Sequence, residues 1–326
     1  MYRQIQIVCP AKIVTGGPES LHQLAQTFSQ LGVQTEMVYY PFSVKSETPS
    51  EYQKYEVQVG LLHDEIGTLV IFPEILCMDA LKIRKADAAI WWLSVDNFLE
   101  RKYYSYRDKA RYCLAVLKGN RPIFPKFSLK NLIHFSKSEY DREFLKSLSL
   151  PFHQISGPIS RIYTEGKINE NQIRRNIILY NPNKGFQTTQ KLISKFPQYI
   201  FISLKEMNTL SLLKIYREAK IYIDFGHHPG KERMPREAAA NGCCVITGMK
   251  GSAANEVDIP IPKRYKINED DLLFFEKFYS LTEFIFNEFD HARNDFEHYR
   301  SEVKAELEKH ISDVQKVIKN LNIRTQ

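Results

Sequence analysis

No apolar run in the 326-residue sequence approaches the ~18 residues that a membrane-spanning helix needs, which argues against an integral helical membrane protein. Cysteine is scarce. Cys9, Cys77, Cys113, Cys243 and Cys244 are odd in number and lack zinc-site spacing, so they read as reduced core residues, and neither a disulfide framework nor a metal centre is expected. Low-complexity tracts and short-period repeats are missing, and so is the GxGxxG dinucleotide fingerprint. A hydrophobic share of 43% against a charged share of 25% removes disorder and collagen-like structure from consideration.

What is present is enough chain for two domains of roughly 150 residues each. A net charge of +7 favours an anionic partner such as a nucleotide, a phosphate or an acidic membrane surface. The basic residues are spread along the chain and no recognised nucleic-acid motif accompanies them, so no nucleic-acid partner is expected. The start, MYRQIQIVCPAKIV, reads as a short strand without a cleavage pattern. A cytoplasmic protein is the expectation, with attachment to the inner face of the membrane left open.

Short apolar runs alternate with helical patterns throughout. QIQIV (4–8), QTEMVYY (34–40), TLVIF (68–72), AAIWWL (88–93) and NLIHF (131–135) predict the strands of one parallel sheet covered on both faces. NIILY (176–180), YIFISL (199–204), IYIDF (221–225) and CCVIT (243–247) predict a second. The polar stretch between them carries Gly157, Pro158 and Gly166 and no apolar period. The expected organisation is therefore a Rossmann-like domain over 1–156, a linker over 157–175, a second Rossmann-like domain over 176–290 and a helical C-terminal segment over 291–326. In that last segment Phe296, Tyr299, Val303, Leu307, Ile311, Val314, Ile318 and Leu321 recur every three or four residues, predicting one long amphipathic helix.

Ligands of open parallel sheets bind outside the carboxyl ends of the strands, and three loops there are unusual. After the first strand, CPAKIVTGGPES places Gly16 and Gly17 where a helix begins, so that backbone N–H groups can approach an anion or simply make a tight turn. After the first strand of the second sheet, LYNPNKGFQTTQK offers Lys184 beside Gly185, as a phosphate contact or as a solvated lysine. The densest is DFGHHPGKERMPREAAANGCCVITG (224–248). It brings Lys231, Arg233 and Arg236 to a helix start and puts Glu237 in the first turn, as an acceptor for ribose hydroxyls or as a helix-capping residue. A fourth place, WWLSVDNFLE, sets Asp96 at the end of an apolar strand, where it orients an acceptor hydroxyl, acts as a general base if the reaction inverts, or caps the next helix.

Together, GGPE at 16–19, the KG of Lys184 and Gly185, and PREAAANGCCVITG resemble glycosyltransferases of the GT-B fold, the large retaining family four above all. HFSKSEYDREFL is similar to the segment with which the first domain of such enzymes starts a helix. The resemblance implies two Rossmann-like parallel-sheet domains facing each other across a cleft. It implies transfer of a sugar, hexosyl by analogy, from a nucleoside-diphosphate sugar to a glycan or lipid-linked acceptor in surface polysaccharide or glycoconjugate synthesis. No cofactor and no metal are implied, because basic residues and a helix terminus stabilise the leaving diphosphate. Gly16, Gly17, Lys184, Lys231, Arg233, Arg236 and Glu237 become the expected donor-binding residues, and Asp96 and His228 the expected catalytic ones. Two departures stand out. Counting eight positions back from Glu237 reaches Pro229 where the family has a sugar-binding glutamate, and the arginine that commonly precedes KG is missing, with Asn181 and Asn183 nearby and Lys231, Arg233 or Arg236 as the expected substitute for its charge. His228 is the expected substitute for the glutamate. A sugar-nucleotide epimerase of the same fold, or a degenerate GT-B-like protein that binds glycans or partner proteins, remains the alternative.

Overall fold

The computed structural model describes residues 1–42, 46–101, 129–166 and 173–326. Cys113, the continuation of the helix expected after Asp96, and the middle of the expected linker lie outside the described residues. The chain divides into two compact units, Met1–Gly157 with Glu308–Gln326, and Pro158–Leu307.

The first unit is built on six parallel strands, β1 (Gln4–Pro10), β2 (Thr35–Tyr40), β3 (Thr68–Pro73), β4 (Asp87–Trp92), β5 (Ile133–Ser136) and β6 (His153–Gln154), in the order β2-β1-β3-β4-β5-β6. Their uninterrupted apolar runs have a direct cause, since the pleat sends alternate side chains to opposite faces and both faces are covered. Ile5, Ile7, Leu69, Ile71, Ala89 and Trp91 enter one core, while Val8, Val70, Phe72, Ile90 and Trp92 enter the other. The first core is closed by Leu21, Leu24, Ala25 and Phe28 of helix Gly16–Gln30 and by Val314 and Val317 of helix Glu306–Asn320.

The second unit carries β7 (Arg175–Tyr180), β8 (Ile200–Ser203), β9 (Ala219–Asp224) and β10 (Cys244–Thr247), all parallel, in the order β10-β9-β7-β8. Ile159 and Tyr163, in the segment expected to link the domains, are buried in this unit's core. The expected single C-terminal helix is instead a series, Phe289–Asn294, Glu297–Lys304 and Glu306–Asn320. The apolar period runs through the breaks, so it could not reveal them. Its last part, from Glu308 onward, packs in the first unit. Among the described residues no helix is long and apolar enough to cross a membrane.

Candidate functional site

Strand order decides where to look. In the second sheet β7 is flanked by β8 on one side and β9 on the other, so the connections leaving β7 and β9 diverge and open a crevice at their carboxyl ends. The two loops meet there through glycines. Gly185, with φ of +58°, precedes helix Phe186–Lys195, and a Cβ on it would lie 2.5 Å from the Gly226 nitrogen and 2.6 Å from the Phe225 carbonyl carbon. Only glycine tolerates both that conformation and that proximity. The loop after β10 joins in the same way: Gly251, at φ +64°, lies against the backbone of His228, whose carbonyl accepts the Ser252 N–H at 2.8 Å. Three strand-end loops are thus fixed to one another by backbone contact, which allows side chains on them to hold a defined geometry.

The charges on these loops are already paired. Lys184 Nζ lies 2.5 Å from Glu232 Oε2, and Glu232 immediately precedes helix Arg233–Ala240. Glu237, expected in the first turn, lies one turn further along that helix, where Arg233 meets it at 3.1 Å, with the Glu237 carboxylate buried. Lys231 reaches Glu306 Oε1 at 2.8 Å. Beneath the loop, Asp224 accepts hydrogen bonds from the Gly226 N–H at 3.1 Å and the Tyr222 hydroxyl at 3.2 Å. Burial pushes the Asp224 carboxyl up, but His228, Lys184 and the Gly226 N–H together hold it below its ordinary value. Glu306 follows the same rule: burial raises it, and Arg236 and Lys231 bring it down.

Two expected site residues take other places. Arg236 was expected among the donor-binding cations, but it is fully buried. Its guanidinium donates to Glu306 at 2.6 Å and to the carbonyls of Glu232 and Lys231 at 2.8 and 3.0 Å, so it fastens the loop to the end of the unit. His228 was expected to contact the sugar. It is likewise buried, with Nε2 3.2 Å from Asp224 Oδ1 at an angle that completes no hydrogen bond. The exposed imidazole of the pair is that of His227.

In the first unit, Gly16 and Gly17 are the first two residues of helix Gly16–Gln30. A Cβ on Gly17 would meet only Leu93, at 3.8 Å, so packing within this unit does not demand glycine. The loop is buttressed from below, since Tyr52 both donates to the Thr15 carbonyl at 2.8 Å and accepts the Thr15 N–H at 2.9 Å. Glu19 is buried and accepts the Tyr55 hydroxyl at 2.7 Å. Asp96 stands in the first turn of helix Val95–Arg101, just beyond β4. The Asn97 N–H that a capping side chain would take is bound by Ser94, while Asp96 accepts the Tyr140 hydroxyl at 3.2 Å. Burial first, and then Asp96, push that tyrosine up to about 12.

No known protein-family profile matches the sequence, and neither does any curated protein. Solved structures do match, along nearly the whole chain. Sucrose-phosphate synthase from Thermosynechococcus elongatus superposes with a TM-score of 0.64 at 12% identity, covering 98% of this chain and 99% of the other. A glycosyltransferase from Rickettsia africae gives 0.66 at 14% identity, with the same coverages. Anabaena HepE in complex with UDP-glucose gives 0.63 at 8% identity, again covering 98% and 99%. At such identities the likeness concerns the fold, and the fold of this chain is that of the GT-B glycosyltransferases.

Proposed function

We propose that the protein is a glycosyltransferase that moves a sugar from a nucleoside-diphosphate sugar to a glycan or lipid-linked acceptor, working in the cytoplasm or at the inner face of a membrane. The observation that carries this reading is the meeting of Lys184 with the start of helix Arg233–Ala240 where β7 and β9 diverge. An anion there faces a cation and the positive end of a helix dipole. Lys184, Lys231 and Arg233 would take the diphosphate, and Glu237 the ribose hydroxyls. Gly16 and Gly17 would let backbone approach the donor, and Asp96 would orient the acceptor hydroxyl. The order of the sequence motifs favours the retaining family four. Two fold relatives, HepE in complex with UDP-glucose and an α-glucosyltransferase in complex with UDP, make a uridine donor and a hexosyl group the first to try.

The chemistry needs little beyond these groups. As the bond between the anomeric carbon and the diphosphate oxygen lengthens, negative charge grows on the leaving phosphate, and pre-positioned cations and helix N–H groups stabilise it without reorganising. Calorimetry with UDP, GDP and the bare nucleosides tests the reading. Glu237→Ala should lower affinity for the diphosphate about ten-fold or more, the worth of a charge-assisted hydrogen bond, and Lys184→Ala should weaken diphosphate but spare nucleoside. A wild-type protein that binds no nucleoside diphosphate removes the proposal and leaves the degenerate binding protein in its place.

A further inference from the structure

The family's sugar-binding glutamate is Pro229 in this sequence, and His228 beside it is buried, so the loop after β9 has no carboxylate at that point. The neighbouring strand end does have one. Beyond β10 the chain loops round and returns, with the Ile267 N–H donating to the Thr247 carbonyl at 2.9 Å, and this brings Glu269 level with Gly248. A Cβ on Gly248 would lie 2.6 Å from Glu269 Oε1, so glycine there makes the room that the carboxylate occupies. Gly248 in turn donates to the Asp224 carbonyl at 3.0 Å, which ties Glu269 to the rim that carries the donor residues.

The Glu269 side chain is only 4% exposed, yet neither carboxylate oxygen has a hydrogen-bond partner among the described residues. The nearest cation, Lys250, is 3.6 Å away and half-exposed. Buried carboxylates normally satisfy their oxygens with N–H or O–H donors, so two unbonded oxygens beside the strand end of β10 call for donors from outside the chain. Ligand hydroxyls supply donors of that kind. Lys250, at 3.6 Å, supplies a countercharge without filling the carboxylate's hydrogen-bonding capacity. Among the described residues no group of three or more potential metal ligands occurs, so a cation is not the ligand these residues favour.

We infer that Glu269 is the specificity residue for the donor's glycosyl group, accepting hydrogen bonds from its hydroxyls in the role that Pro229 cannot fill. The inference rests on the proposed nucleotide-sugar donor. Affinities for UDP, UDP-glucose, UDP-galactose and their single-deoxy analogues, in wild type and Glu269→Gln, test it. In the wild type the preferred sugar should bind more tightly than UDP, and one deoxy analogue should lose about ten-fold or more of that affinity. In Glu269→Gln, UDP should bind within about two-fold of wild type while the preference for the sugar and the penalty for the deoxy analogue both disappear. The deoxy series in the wild type stands even if the variant folds poorly. Equal sensitivity to every deoxy analogue in both proteins overturns the inference while leaving UDP binding, and so the proposed function, intact. A parallel loss of UDP and UDP-sugar affinity in Glu269→Gln also overturns it, because the residue then holds the loop. A wild type that binds no diphosphate removes both readings together.

Discussion

Replacing Glu232 with glutamine should tighten nucleoside-diphosphate binding, although it removes a charged residue from the middle of the candidate site. Glu232 Oε2 sits 2.5 Å from Lys184 Nζ, with the two side chains 21% and 27% exposed. The carboxylate makes no cap hydrogen bond to the helix it precedes, so its main partner is the lysine. A phosphate arriving at Lys184 must share or displace it, and the two anions repel. Exposed pairs are worth up to about 1 kcal/mol and more enclosed charge-assisted contacts about 1.5–3, which places this partly enclosed pair near ~1 kcal/mol, or roughly a five-fold gain in affinity. Glutamine keeps the size and the backbone, so stability should change little. Titration calorimetry with UDP and uridine at low and high salt is the assay. The gain should appear for UDP alone and shrink as salt screens the competing carboxylate. A loss of UDP affinity in Glu232→Gln, or an equal change for uridine, refutes the idea that this carboxylate stands in for phosphate.

Other consequences follow from the same geometry. Gly185→Ala should lower stability by a few kcal/mol and reduce diphosphate binding, because the new Cβ would press on the Gly226 and Phe225 backbone at 2.5–2.6 Å from a left-handed conformation; thermal melting and calorimetry check it. His310 is held at about 4 by burial, although its bond to the Ser156 carbonyl works the other way. The unfolded chain therefore takes up the proton near pH 6.5 and the folded chain only near 4. Its stability contribution is complete above about 6.5 and is lost as pH falls toward 4, by about 1.4 kcal/mol per unit and roughly 3 in all. His310→Asn should flatten that part of the melting-temperature profile. With an active donor and acceptor in hand, Asp96→Asn should cut turnover by about 10²–10⁴-fold with UDP affinity unchanged; since Ser94 binds the Asn97 N–H, little stability should be lost.

The sequence made the architecture legible because strands covered on both faces must be apolar throughout, and such runs alternate with helices in only a few ways. It also made the strand-end glycines legible, though not their reason. That Gly185 answers to Gly226, and Gly251 to His228, is a matter of loops brought together by strand order. Between His227 and His228 the sequence offered no means of choice. Both follow a strand whose period ends at Asp224, and only the three-dimensional turn sends the second inward to that aspartate. Arg236 failed as a donor residue for a similar reason, since the acid that claims it, Glu306, lies 70 positions further along. The breaks in the C-terminal helices were hidden by an apolar period that continues across them.

The pairing of the cations has a consequence for how such a site selects its ligand. Lys184, Lys231 and Arg233 each hold a carboxylate of this same chain, from Glu232, Glu306 and Glu237. Binding a diphosphate is then an exchange of one anion for another, so the observed affinity is a difference between two similar interactions and not the sum of new ones. A monophosphate or a stray carboxylate offers a single anionic group and gains little over the partner already in place. A diphosphate engages more than one cation at once and adds the start of a helix whose N-cap side chain, Glu232, makes no cap hydrogen bond. On this argument UDP should outbind UMP by more than one extra phosphate contact would give in a site of bare cations. The excess should fall most in Glu232→Gln, where Lys184 no longer has a partner to exchange. Measuring UDP and UMP on both proteins decides it, and an unchanged ratio between the two ligands would show that the cations act independently of the acids beside them.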